Sequence, residues 1–203
     1  MTLTELMVLV VILGITASIA IPGFLFVLRR ERLNAVALEV AGHFEAIRAL
    51  AAEQVAEQAT EGGCAITLTA PTSSAREGHV IAASSQCGRG GSGSVSVPAG
   101  LGETFKIAHS VPRALTSNPP DDIDSCDPQV PCVGATTIVF SPRGMWSFDA
   151  IGNVEQDLEV RIALATGGGP KRCVRMSSIL GAIEIGSAAD NNVQTSCTSW
   201  GRI

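Results

Sequence analysis

Hydrophobic and polar positions along the chain fall into three regimes. From Leu6 to Leu28 no side chain is charged and nearly all are apolar, so no polar face is left at any helical or strand period. Such a run cannot be the surface of a soluble helix, and at about 1.5 Å per residue it covers the ~30 Å hydrocarbon layer of a bilayer. From Arg29 onward the pattern is amphipathic. Leu33, Val36, Val40, Phe44, Ile47, Ala51 and Val55 recur every three or four residues, with Glu39, Glu45, Arg48, Glu53 and Glu57 between them. This predicts one continuous helix, stopped by the C-cap signal Gly62-Gly63, whose upper half lays an apolar stripe on the rest of the chain. Gly14 and Pro22 are its weak points, since proline removes a backbone donor and glycine adds backbone entropy.

After Gly63 the period becomes two. Nine stretches read as short strands: 64–69, 79–82, 94–97, 104–108, 136–140, 146–149, 158–164, 172–177 and 182–185. The glycine-rich 88–93 reads as a loop, as does 110–134 with its five prolines and four aspartates. The predicted fold class is therefore α+β, a long N-terminal helix packed on a mostly antiparallel β-rich head. It divides into an apolar half-helix (1–28), an amphipathic half-helix (29–61) and one globular head (62–203). That head, roughly 140 residues long, is large enough for a core of its own.

Composition changes this picture in two ways. Fourteen Lys plus Arg against nineteen Asp plus Glu give a net charge of −5, and tyrosine is absent, which argues against a chain devoted to coating nucleic acid. Six cysteines, Cys64, Cys87, Cys126, Cys132, Cys173 and Cys197, all follow the apolar helix without zinc-type paired spacings, so the head belongs in an oxidising compartment. Three bridges are expected: Cys126–Cys132 across a proline-rich loop, Cys173–Cys197 holding the C-terminal tail, and Cys64–Cys87 at the end of the helix.

One residue resists a simple anchor reading. Glu5 stands at the edge of the apolar run, where a carboxylate is costly to bury unless a cation meets it, and the nearest candidate is the α-amino group of Met1 of this chain or of a second copy. Thr2-Leu3-Thr4-Glu5-Leu6-Met7-Val8, followed by Gly14, Ile19-Ala20-Ile21-Pro22 and a charged helical continuation, resembles the mature N-terminus of type IV pilins and pseudopilins. Met1 stands where that family usually has Phe and Thr4 where it usually has Ile. The resemblance implies a leader removed by a prepilin peptidase, N-methylation of Met1, storage in the inner membrane, and delivery by the pilus assembly machinery into an extracellular helical filament. In that filament Glu5 pairs with a neighbour's Met1 amine, and the segment between Gly14 and Pro22 loses helicity. In the head, Phe140-Ser-Pro142-Arg-Gly144 and Arg172-Cys-Val-Arg-Met-Ser-Ser-Ile-Leu-Gly181 resemble the GspH/FimT-like branch of these proteins.

The function expected from these features is that of a structural pilus subunit, a homo-oligomer without cofactor. Two alternatives stand beside it: a pseudopilin of type II secretion, and a minor pilin that binds DNA for uptake. The DNA alternative draws on a Gly-Arg-x-Arg motif of FimT-like pilins, whose first half Gly201-Arg202 matches, with Arg175, Arg172 and Lys171 as further phosphate contacts. No nucleophile, phosphate-loop or zinc-protease motif is present, so an enzyme is not expected. Asp121, Asp122, Asp124 and Asp127 form a weak calcium candidate without the glycine and final glutamate of an EF-hand, and read as a solvated acidic loop. His43, His79 and His109 read as ordinary surface or packed residues. Arg29, Arg30 and Arg32 suit lipid headgroups, the glutamates of neighbouring helices, or solvent. Peptide mapping without reduction should return three bridges, and free thiols throughout would overturn the oxidising compartment.

Overall fold

The computed structural model describes residues 3–53, 64–71, 74–85, 93–98, 104–110, 134–141, 146–147, 157–166, 169–177 and 181–202. Helix α1 runs from Leu3 to Glu53, 51 residues without interruption. It passes through Gly14 and Pro22 as α-helix, and the loss of helicity expected between them is not a feature of the isolated chain. Two hydroxyls of the apolar half turn back onto the helix. Thr16 Oγ1 donates to the carbonyls of Ile12 and Leu13, each at 3.0 Å, and Ser18 Oγ to that of Ile15 at 2.7 Å. Neither of these two hydroxyls is thereby left facing an apolar surrounding. The expected helix end at Gly62-Gly63, and Val55, lie outside the described residues.

Ten strands follow among the described residues: β1 (Cys64–Ala70), β2 (Val80–Ser85), β3 (Ser94–Ser96), β4 (Phe105–Ser110), β5 (Gly134–Phe140), β6 (Trp146–Ser147), β7 (Leu158–Leu164), β8 (Lys171–Met176), β9 (Ile183–Ala188) and β10 (Ser199–Arg202). All nine stretches read as strands contain strand. β10 is additional, because Ser-Trp-Gly-Arg carries no alternation of its own and becomes a strand by pairing with β9, Trp200 opposite Gly186. The pairings are antiparallel and form two five-stranded sheets, β3-β2-β1-β5-β6 and β10-β9-β8-β7-β4. The architecture is thus α+β, a long helix packed against two antiparallel sheets rather than one.

The stripe on α1 explains how two sheets share one core. Leu33, Val36, Ala37, Val40, Ala41, Phe44, Ile47 and Ala51 are buried, and they join Ile66, Leu68 and Phe140 of the first sheet and Val160, Ile162, Val174 and Met176 of the second in a single apolar cluster. β1 alternates strictly, buried at Cys64, Ile66, Leu68 and Ala70. On its other face, Thr67 and Thr137 of β5 meet through their hydroxyls at 3.1 Å.

His43 lies on the flank of this stripe. A Cβ added to Gly93 would stand 3.2 Å from its Cε1, so the absence of a side chain there lets the helix approach the start of β3. Burial pushes the His43 imidazole below the ordinary histidine range, and its Nε2 has no hydrogen-bond partner. The folded chain therefore keeps His43 neutral while the unfolded chain takes up a proton near the ordinary value of about 6.5, so this stability is complete above that pH and declines as pH falls through it. Urea midpoints of the full chain in detergent should drop between pH 7.5 and 5.5, and His43→Gln should flatten that slope; an unchanged slope would contradict the burial argument.

Candidate functional site

Two surfaces of the molecule carry features that packing alone does not require. The first is the lower half of α1. Its large apolar side chains from Leu3 to Val27 are 41–76% exposed. Within the most apolar 18-residue window nothing is buried against the head, and the helix has the length and composition to cross a membrane. An exposed apolar surface of this extent marks a contact with a membrane or with protein. Glu5 sits in the first turn of this helix, where the positive end of the helix dipole favours a carboxylate. Met1, its expected partner and the expected methylation site, lies outside the described residues. A Cβ at Gly14 would meet nothing within 4 Å, so among the described residues that glycine serves no close approach.

The second is the outer face of the second sheet. In β7 every residue is buried: Leu158, Val160, Ile162 and Leu164 belong to the core under α1, and Ala163 packs with Ala108 and Val193 on the opposite side. The segment 189–198 therefore covers that side. Glu159 and Arg161, buried there side by side, are neutralised by each other and by this cover. Arg161 Nε lies 3.3 Å from Glu159 Oε1, and its Nη1 donates to the carbonyls of Gln194 at 2.9 Å and Val193 at 3.3 Å. Glu159 in turn accepts from Ser196 Oγ at 2.6 Å and from the Cys197 backbone N–H at 3.1 Å.

Lys171 is fully buried on the same face. Its ammonium donates to Thr195 Oγ1 at 2.6 Å, to the carbonyls of Thr195 and Asn192 at 2.8 Å each, and to Asp190 Oδ1 at 3.1 Å. The hydrogen bond from Lys171, with one from the Asn192 N–H, holds the Asp190 carboxyl below the usual carboxylate range. The Cys173–Cys197 bridge, with a Cα separation of 6.1 Å, pins the end of the covering segment to β8. Beyond it Trp200 lies over Gly186, where an added Cβ would come within 2.7 Å of the indole and 2.9 Å of Cys197 Cβ. The Arg175 guanidinium stacks 4.0 Å from the Trp200 ring centroid and pairs with Glu184.

These contacts correct part of the sequence reading. Lys171 is no phosphate contact, because its ammonium is enclosed by four oxygens of the C-terminal segment. Arg175 is engaged by Glu184, by Asp157 at 3.8 Å and by Trp200. Arg172 points the other way from Lys171, toward α1, where its Nε donates to Asn34 Oδ1. Three of the four cations proposed for DNA are thus dispersed over two faces, and Arg202 ends β10 with its side chain outside the described residues. Alternation along β8 already separates residue 172 from 171 and 173, a signal the linear proximity of the basic residues hid. The Glu159/Arg161 pair was missed although two opposite charges at i and i+2 in an apolar strand announce a covered polar face.

Of the expected bridges, Cys173–Cys197 is present. Cys64 is disulfide-bonded, and Cys87, Cys126 and Cys132 lie outside the described residues. Asp121, Asp122, Asp124 and Asp127 lie outside them too. Among the described residues, the one group with ligand atoms close enough for a metal is Glu159, Cys173 and Cys197, all within 4.8 Å of one another. Its sulfurs are joined in the bridge and its carboxylate is occupied by Arg161, Ser196 and Cys197.

The chain matches no protein-family model, no curated protein and no solved structure. What the fold and site define is an α+β protein whose head is closed by a bridged C-terminal segment and whose N-terminal helix projects an apolar, membrane-length half. Lys171→Met should loosen that closure by about 1–3 kcal/mol, the cost of buried acceptors left unmade. Gly186→Ala should cost a similar ~1–3 kcal/mol through overpacking against Trp200. Thermal unfolding and amide exchange of residues 190–200 read both, with the exposed Arg76→Gln as the neutral reference; protection unchanged in Lys171→Met would show that the ammonium does not hold the segment.

Proposed function

We propose that the chain is a structural subunit of a type IV pilus or a related filament. It is held in the inner membrane through the lower half of α1 and then transferred into an extracellular helical polymer, where Glu5 meets the N-terminal amine of a neighbouring copy. The observation that carries this reading is the combination on one helix of an exposed apolar half, with Glu5 in its first turn, and an amphipathic half sunk in a disulfide-bridged head. An apolar helix needs lipid or a bundle of like helices. A carboxylate at its tip needs a cation there, and a second copy supplies both. The resemblance of Thr2 to Val8 and of Ile19 to Pro22 to the pilin N-terminus supports the same reading. The bridged, self-covered head suits a subunit exposed outside the cell.

The DNA-binding alternative draws no support from Lys171 or Arg175, whose charges are already satisfied within the head.

Glu5→Ala should leave the membrane-held subunit stable yet poorly incorporated into filaments. Glu5→Lys should incorporate still less, since it sets two cations against each other. Comparing surface filaments with the membrane pool tests this, and wild-type filament yield from Glu5→Lys would overturn the pairing.

A further inference from the structure

The junction between the two halves of α1 gathers cations in a chain that is otherwise acidic. Charges begin immediately after Leu28 with Arg29, Arg30, Glu31 and Arg32, although the net charge of the whole chain is −5. Arg172 joins them from the head. Its Nε donates to Asn34 Oδ1, and Asn34 follows Arg30 by four residues, which places it above Arg30 on the same helix face. Asn34 is held from the other side by Glu31, its Nδ2 donating to Oε2 at 3.5 Å. Arg30 is close enough that its charge, after burial itself, helps lower the Arg172 guanidinium from its usual range, with Glu31 acting in the opposite direction. The fold thus brings the Arg30 and Arg172 guanidiniums near enough to repel each other, with the Glu31 carboxylate beside them through Asn34. An oxyanion there would relieve the repulsion and could accept forked hydrogen bonds from both.

The depth of this place chooses the anion. If the apolar run fills the hydrocarbon layer, Arg30 stands at its boundary, and four residues of helix rise about 6 Å to Asn34 and Arg172. That distance matches the headgroup zone, roughly 5–8 Å thick on each side of the hydrocarbon core. The geometry points to a binding site for the phosphate of an anionic phospholipid, formed by Arg30 of α1 and Arg172 of β8, which seats the head on the membrane surface. Neither half suffices alone. The helix arginines give a diffuse attraction common to many anchors, whereas Arg172 adds a fixed donor from the head and so couples lipid binding to head orientation. The inference rests on the membrane-stored reading of α1 given above.

The test uses the full chain in bilayer discs of phosphatidylcholine with a minority of phosphatidylglycerol, and native mass spectrometry to read the ratio of the two lipids retained by the protein. Wild type should enrich phosphatidylglycerol. Arg172→Gln should lower that enrichment by about fivefold, the loss of one arginine at an anionic surface, and Arg30→Gln, which is exposed and leaves the core untouched, by a similar factor. Arg76→Gln, the loss of an exposed arginine outside both α1 and β8, should change nothing. Equal enrichment in wild type, Arg30→Gln and Arg172→Gln would overturn the site, and so would normal enrichment in both variants accompanied by loss of filaments, which would give the arginines to carboxylates of a neighbouring copy. Flotation with purely phosphatidylcholine vesicles separates the two levels of the argument. A chain that floats without enriching the anionic lipid refutes the headgroup site alone, and one that does not float at all refutes the membrane-stored reading beneath it.

Discussion

Burial of the stripe Leu33 to Ala51 is the interaction on which the rest of the structure depends. One continuous helix serves two surroundings. Its upper half contributes the central layer of a core shared by both sheets, and its lower half contributes nothing to that core and keeps its apolar side chains outward. Because the two halves are one continuous helix, whatever grips the lower half is joined to the head through it. The change of regime occurs at the arginines that follow Leu28, which makes this short junction the reference level for everything above and below it.

The second sheet shows the opposite way of managing polar groups. Its inner face is apolar under α1, but its outer face carries Glu159, Arg161 and Lys171, each of which would be costly to bury unpaired. The C-terminal segment resolves this by supplying Asp190, four backbone carbonyls and the Thr195 and Ser196 hydroxyls, so that the cover and the charges under it stabilise each other. The Cys173–Cys197 bridge closes a separation of 24 residues around this network. In the chain-entropy account a loop of that order contributes about 3 kcal/mol by constraining the unfolded chain. The polar network supplies specificity of placement, which an apolar cover with no directional bonds would lack. A tail held by both means resists peeling better than one held by packing alone.

Two functional requirements follow different rules in the same chain. The lower helix is unspecific chemistry, apolar nearly throughout, and acquires direction only from Glu5 at one end and the arginines at the other. The head is specific chemistry, in which a single glycine under Trp200 or a single ammonium under residues 190–195 has no substitute of the same shape and charge.

Local pattern determined the elements of this protein. Uninterrupted apolarity predicts the membrane-length helix, a period of 3.6 predicts which face of its upper half is buried, and a period of two predicts nine of the strands, because in each case the residues involved are neighbours along the chain and solvent contrast alone orients them. The Cys173–Cys197 pair was legible for a similar reason, since it ties a tail to a nearby strand. Partition into two sheets, the strand β10, the covering of β7 on both faces and the burial of Lys171 were not legible. They depend on which distant strands pair and on where residues 189–198 return, and sequence neighbours carry no record of either. Lys171, Arg172 and Arg175 make the point most sharply. Adjacent in sequence and alike in charge, they read as one basic patch, yet the pleat of β8 and the segments packed on its two sides send the first into a cage of oxygens, the second to the helix and the third to Trp200. The tertiary structure decided their roles because a buried charge is governed by the groups that reach it through space, not by those beside it in the chain.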